Sequence, residues 1–328
     1  MWVNRNKPRL KTFNTIKYLS ASSLSQYENN PNTFYCTRLA ENLMPRDAGG
    51  LAANIGTAFD ILVKKDLLHK KGVMLHDVVE ESMIDNSIDK DSEHYEKAWS
   101  EGKRILRYYK LSGIIDDLPI IPIPRRWHQI EGDYRYKLNG VPFYAKLDAV
   151  VFDPFTRQLA PFDWKVVGGA AKTGVSPRKG FADFCDAGQW AQKPHKSYTS
   201  HATADKSPNS GYEGVNIPMD LVDKKFAAQF CIYGWALQAV DGFLEIADDE
   251  FKDFPVHFDS AVYNGKDRRI KIYAYRAIIT ADFQRKLYKR ARRVWDDLAT
   301  GCTQLLDNIS SKYNIKEVES AARGENWW

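Results

Sequence analysis

Two hydrophobic rhythms divide the chain. As far as about residue 110 apolar side chains recur at helical intervals, and from about 127 they alternate with polar ones. The first rhythm predicts short helices over 22–27 and 34–43, on either side of an Asn29-Asn30-Pro31 turn. Asn54 reads as the N-cap of a helix running to about Leu68, with Ile55, Phe59, Leu62 and Leu67 on one face. A longer helix is expected over 92–110, where Tyr95, Trp99, Ile105 or Leu106, and Tyr109 share a face. Pro119, Pro122 and Pro124 then force an extended link. Beyond it, 127–138 and 141–153 read as strands joined by Asn139-Gly140, a strong hairpin signal. A third strand is expected over 159–167, a helix over 223–239, and a second hairpin of 256–263 and 270–279 turning at Asn264-Gly265. One long helix from Thr280 to about Ile309 closes the series.

This order predicts an α/β protein with a mixed central sheet flanked by helices. Residues 1–18 form a basic arm, 19–118 a helical cap, and 119–328 a sheet core with a long insertion at 168–222. The insertion holds seven of the 20 glycines and four prolines, and a loop of that length is usually functional. At 328 residues, 44% apolar and 27% charged, the chain can bury a sizeable core, which excludes disorder throughout. No apolar run approaches the roughly 20 residues of a membrane span, and the N-terminus lacks a signal-peptide pattern. Cys36, Cys185, Cys231 and Cys302 contain no CxxC and no close pair, as suits free thiols in a cytoplasm, the host's if the source is viral.

Charge adds a hint of a polyanionic partner. The excess of 47 basic over 42 acidic residues equals the surplus of the arm alone, where Arg5, Lys7, Arg9, Lys11 and Lys17 meet no acid. Such an arm either contacts phosphates or is a solvated tail. A second basic run, Arg285, Lys286, Lys289, Arg290, Arg292 and Arg293, lies on the last helix. It reads as a solvated face or as a contact for a DNA backbone.

The candidate chemistry lies on the strands. Asp148 is expected on the face opposite its apolar neighbours Leu147 and Ala149. Asp163 and Lys165, two apart, share one face of the next strand, while Trp164 takes the other. If the two strands pair, two carboxylates and an ammonium converge. That set suits Mg²⁺ or Mn²⁺, and a lysine beside such an ion can orient the attacking water or stabilise a growing negative charge. Alone, an Asp-x-Lys triplet is also what an ordinary charged strand surface looks like. Gln229 and Tyr233 stand i, i+4 on a helix, and Gly56-Thr57-Ala58-Phe59-Asp60 puts a third carboxylate on another. In the insertion, Ser176-Pro177-Arg178-Lys179-Gly180 is a basic turn that either grips a phosphate or is a plain loop, and Lys196 lies further along.

Taken in order, the Ser-rich segment 19–27, the Gly56–Asp60 helix, Asp148, Asp163-x-Lys165 and Gln229-x-x-x-Tyr233 resemble the PD-(D/E)xK nuclease superfamily, in its RecB-like branch. The resemblance covers about residues 19–240 and implies a restriction-endonuclease-like core. It implies that Asp148 and Asp163 bind the metal, that Lys165 is catalytic, and that Gln229 and Tyr233 flank the site. Asp60 stands where the family has His, and would be a further metal ligand. Arg178, Lys179, Lys196 and Tyr233 would grip DNA. Many RecB-like members hold an iron–sulfur cluster with three clustered C-terminal cysteines; here only Cys302 lies in that part, so no cluster is expected. The implied activity is metal-dependent hydrolysis of DNA, most simply by an exonuclease in phage or bacterial DNA processing, acting with a recombination or single-strand-annealing partner. A site-specific endonuclease and a non-catalytic DNA-binding protein of the same fold are the alternatives.

Overall fold

The computed structural model describes residues 12–44, 50–70, 94–111, 120–121, 132–168, 182–185, 215–216, 222, 224–263, 269–311, 318 and 320. The first two helices, α1 (Ala21–Asn29) and α2 (Pro31–Arg38), meet at Asn30, with Pro31 in the first turn of α2. Part of the Ser-rich segment is spent on capping α1. The Ser20 side chain accepts from Ser23 N at 3.2 Å, while Ser20 N donates to Ser23 Oγ at 2.7 Å. Helix α3 (Leu51–Lys70) begins before Asn54, which is buried in its first turn and is therefore not its N-cap. Helix α4 (Tyr95–Leu111) follows.

Asn139 and Gly140 do form the expected two-residue turn. Both have positive φ (46° and 81°), and they join β2 (Gly132–Leu138) to β3 (Val141–Leu147). The expected single strand over 141–153 is instead two, because the chain bends at Asp148 and restarts as β4 (Ala149–Asp153). Leu147 packs into one hydrophobic core and Ala149 into another, so Asp148 is the point where the chain crosses between them.

Strand β4 pairs antiparallel with β5 (Gln158–Gly168), and β5 runs parallel to β9 (Phe254–Tyr263), which pairs antiparallel with β10 (Arg269–Ile279). With β1 (Ile120–Ile121), β6 (Ala182–Cys185) and β7 (Val215–Asn216) they form a seven-stranded mixed sheet of order β1-β4-β5-β9-β10-β6, β7 adding to β10. A three-stranded mixed sheet has the order β3-β2-β8, where β8 is Phe243–Leu244. The span 168–222 was expected as a loop, yet two short strands of the large sheet lie within it. Its remaining candidates, Arg178, Lys179 and Lys196, lie outside the described residues.

Helices cover both faces of the large sheet. On one face Ile55, Ala58, Phe59 and Val63 of α3 and Ile105 and Tyr109 of α4 pack on Ala149, Phe162, Trp164 and Ile272. On the other, α5 (Lys224–Gln238) buries Phe230 and Trp235 with Phe143, Phe258 and Tyr275. The N-terminal helices α1 and α2 share that second core through Leu24, Tyr27 and Phe34. The expected last helix is interrupted. Helix α6 (Ala281–Thr300) stops at Gly301, whose φ of 108° is left-handed, and α7 (Thr303–Ser310) begins anew. Asp297 of α6 caps α7, accepting from Gln304 N at 2.8 Å and Leu305 N at 3.1 Å, and it also accepts from Tyr27 OH at 2.5 Å. Among the described residues, no helix is long and apolar enough to cross a membrane.

Candidate active site

Strand alternation sets the first two side chains. Phe162, Trp164 and Val166 of β5 face α3 and α4, so Asp163 and Lys165 face α5. Helix α5 presents Gln229 and Tyr233 one turn apart above them. The four side chains form one network. Lys165 Nζ donates to the Asp163 carboxylate and, at 3.1 Å, to Gln229 Oε1. Gln229 Nε2 donates to Asp163 Oδ2 at 2.9 Å and to the Tyr233 hydroxyl at 2.6 Å. An amide placed this way bridges an acid and a base and holds both in a single arrangement.

Asp148 enters from the bend between β3 and β4. Ala149 is paired with Phe162, which brings Asp148 level with Asp163, and the two carboxyls lie within hydrogen-bonding range of each other. Asp163 is almost wholly buried, at 1% side-chain exposure, against 18% for Asp148. Burial pushes the Asp163 carboxyl well above the usual carboxylate range; Lys165 pulls the other way, and the charge of Asp148 adds to the rise. Burial works against Asp148 too, but the Lys64 charge, the hydrogen bond with Asp163 and the Lys165 charge together hold it below that range. The stable anion of the pair is thus Asp148. Tyr233 stays a protonated phenol, raised by burial and by the charges of Asp163 and Asp148.

Asp60 does not join the two sheet acids directly. Lys64, one turn further along α3, lies between, its Nζ 2.8 Å from Asp60 Oδ2 and 2.8 Å from Asp148 Oδ1. Among the described residues, no three His, Cys, Asp or Glu side chains gather into a group able to hold a metal ion. Two facing carboxylates are nevertheless an oxygen donor set suited to a hard cation, and the burial that disfavours a second negative charge is what such an ion would offset. Asp148 and Asp163 fit Mg²⁺ or Mn²⁺ on that ground.

Beside Gln229 and Tyr233 opens a groove of about 620 Å³. Its walls include Lys17, Tyr18, Ser20, Ser22, Arg38 and Lys146, so three cations line a groove that Gln229 and Tyr233 share with the carboxylate network. Lys17 and Lys146 are exposed, while Arg38 is held by Gln26 Oε1 at 2.9 Å. Lys17 thus brings the basic arm to this groove, and among the described residues that line it none comes from α6. The run on α6 is largely answered by acids: Lys286 by Asp282, Lys289 by Asp248, Arg290 by Glu28 and Arg292 by Asp296.

Sequence reasoning missed Lys64 and the groove. The signal for Lys64 was present as an i, i+4 spacing from Asp60, but a lysine on an amphipathic helix ordinarily points to solvent, and this one is 1% exposed. Three thiols are disfavoured as thiolates: burial raises Cys36 and Cys231, and burial with the Asp297 charge pushes Cys302 up to about 12. Comparison of the chain with family models, with curated proteins and with solved structures gives no match.

Proposed function

We propose that the protein is a metal-dependent deoxyribonuclease of the PD-(D/E)xK type, RecB-like in its arrangement, hydrolysing DNA phosphodiester bonds from strand ends. The observation that carries this reading is the closed network of Asp163, Lys165 and Gln229 with Asp148 facing it across the β4–β5 pair. Each acid has a base of its own, Lys165 for Asp163 and Lys64 for Asp148. Two separate ion pairs have no need to set their carboxyls face to face, nor to spend a fixed amide on orienting one of the lysines.

In this reading Asp148 and Asp163 would hold one Mg²⁺ or Mn²⁺, which when bound would supply Lewis-acid chemistry. The chain's own groups do the rest. Lys165, held by Gln229, positions the water for in-line attack and offsets charge growing on the phosphate. Lys17, Arg38 and Lys146 draw the polyanionic strand into the groove, which Tyr18 and Tyr144 also line. A 3′-oxygen leaves, and a 5′-phosphate remains. A phage or bacterial recombination setting, with an annealing protein as partner, fits a small nuclease of this design.

The test is incubation with linear and circular, single- and double-stranded DNA in Mg²⁺, Mn²⁺ or EDTA. Cutting of linear DNA alone supports the exonuclease, and cutting of circles makes the protein an endonuclease. Binding without cutting rejects the enzyme in favour of a DNA-binding protein.

A further inference from the structure

We infer that Lys64 is a built-in cation in the place of a second metal ion, so that the site takes one divalent ion and Asp60 acts on it only through Lys64. The inference rests on the nuclease reading above and assigns a positioning role that the sequence motifs do not contain.

Three observations carry it. Lys64 Nζ is 2.8 Å from an oxygen of Asp60 and 2.8 Å from an oxygen of Asp148, so it already occupies the spot from which a cation would bridge the two. The lysine is 1% exposed, whereas Asp60 and Asp148 are 32% and 18% exposed, so the ammonium is the innermost of the three. Its backbone is fixed, because α3 packs Ile55, Ala58, Phe59 and Val63 against the large sheet.

The chemistry follows from these positions. A buried ammonium is stable only with acids around it, and Asp60 and Asp148 meet that need. A divalent ion ligated by both acids would require their oxygens within about 2.0–2.6 Å of itself, in the volume that Nζ fills. Ion and ammonium therefore exclude each other there, by space and by charge. Asp148 turns one oxygen to Lys64 and faces Asp163 with its carboxyl, which leaves the Asp148–Asp163 pair for the single ion. Asp60, four residues before Lys64 on the helix, has the favourable acid-then-base order and keeps the lysine in place.

The experiment counts Mn²⁺ bound to the full chain, by electron paramagnetic resonance of the free ion and by calorimetry. It compares wild type with Lys64→Ala, Asp60→Asn and Asp163→Asn, and circular dichroism checks folding. The expected stoichiometry is one ion in wild type, one in Asp60→Asn, and two in Lys64→Ala, with tight binding lost in Asp163→Asn. Lys64→Ala should also melt lower than wild type in EDTA and recover more of that loss when Mn²⁺ is added. Two ions in wild type, one in a folded Lys64→Ala, or loss of the ion in Asp60→Asn would overturn the inference and leave the nuclease reading standing. Should Lys64→Ala fail to fold even in Mn²⁺, the wild-type and Asp60→Asn counts decide. Wild type that binds no Mn²⁺ would overturn both.

Discussion

Replacing Asp163 by Asn should separate folding from function. The change keeps the size of a side chain that is 1% exposed and removes its charge. Two stability effects then oppose each other. The Lys165 ammonium keeps an acceptor in the amide oxygen but loses the carboxylate charge, which weakens a charge-assisted bond worth about 1.5–3 kcal/mol. The cost of burying a second carboxylate beside Asp148 disappears, and burial already pushes Asp163 towards its protonated form, which an amide resembles. The metal-free variant should therefore match wild type within about 1 kcal/mol. With Mn²⁺ the two should part. At 100 times the dissociation constant, an ion bound only by the native state adds about 2.7 kcal/mol, or a rise in Tm of about 4 °C at about 1.5 °C per kcal/mol for a chain of 328 residues. The assay is a thermal melt in EDTA and in Mn²⁺, run beside a cleavage assay. Wild type should gain the rise and cut DNA; Asp163→Asn should show neither. An equal Mn²⁺ shift in both proteins, or cleavage by the variant at the wild-type rate, would refute the assignment of Asp163.

Other expectations follow from the same structure. Lys165→Met should lower cleavage at least about 100-fold through lost charge stabilisation while Mn²⁺ still raises the Tm; full activity would exclude Lys165 from the chemistry. Asp297→Ala should destabilise by about 2–4 kcal/mol, since the cap of α7 and the Tyr27 hydrogen bond go together, and an unchanged urea midpoint would refute that. A pH effect is expected at the buried Asp153–His257–Arg276 cluster, where Asp153 Oδ2 lies 2.8 Å from His257 Nε2 and 2.5 Å from Arg276 Nε. Burial lowers His257 despite Asp153, while the His257, Arg276 and Thr156 bonds outweigh burial and lower Asp153. Both folded values lie below the unfolded ones of about 6.5 and 3.9, so the unfolded chain takes up protons first and stability falls as pH drops through each. His257→Gln should flatten the loss between pH 7 and 5 in urea titrations; parallel curves would contradict it.

What could be read from the sequence was whatever is decided locally. The Asn139-Gly140 turn depends on two residues, and the common face of Asp163 and Lys165 depends only on strand alternation. Gln229 and Tyr233 share a face by helical spacing alone. The break at Asp148 was hidden because it depends on two cores competing for adjacent residues: Leu147 belongs to one and Ala149 to the other. Lys64 was hidden for a related reason. Its burial depends on Asp148, 84 residues away, as well as on Asp60 of its own helix. Whether the basic face of α6 was solvated or bound DNA stayed open in the sequence, because one of its acids, Glu28, lies 262 residues away from Arg290. Asn54 has the chemistry of an N-cap, yet the helix starts three residues earlier and buries it.

The claim that Asp148, Asp163 and Lys165 form a hydrolytic centre is tested most directly by following end-labelled linear duplex DNA with the purified protein, in Mg²⁺ and in EDTA, beside Asp163→Asn. The account predicts release of labelled nucleotides by wild type in Mg²⁺ alone, and none by the variant. DNA bound by wild type but left intact in both Mg²⁺ and Mn²⁺ would contradict it.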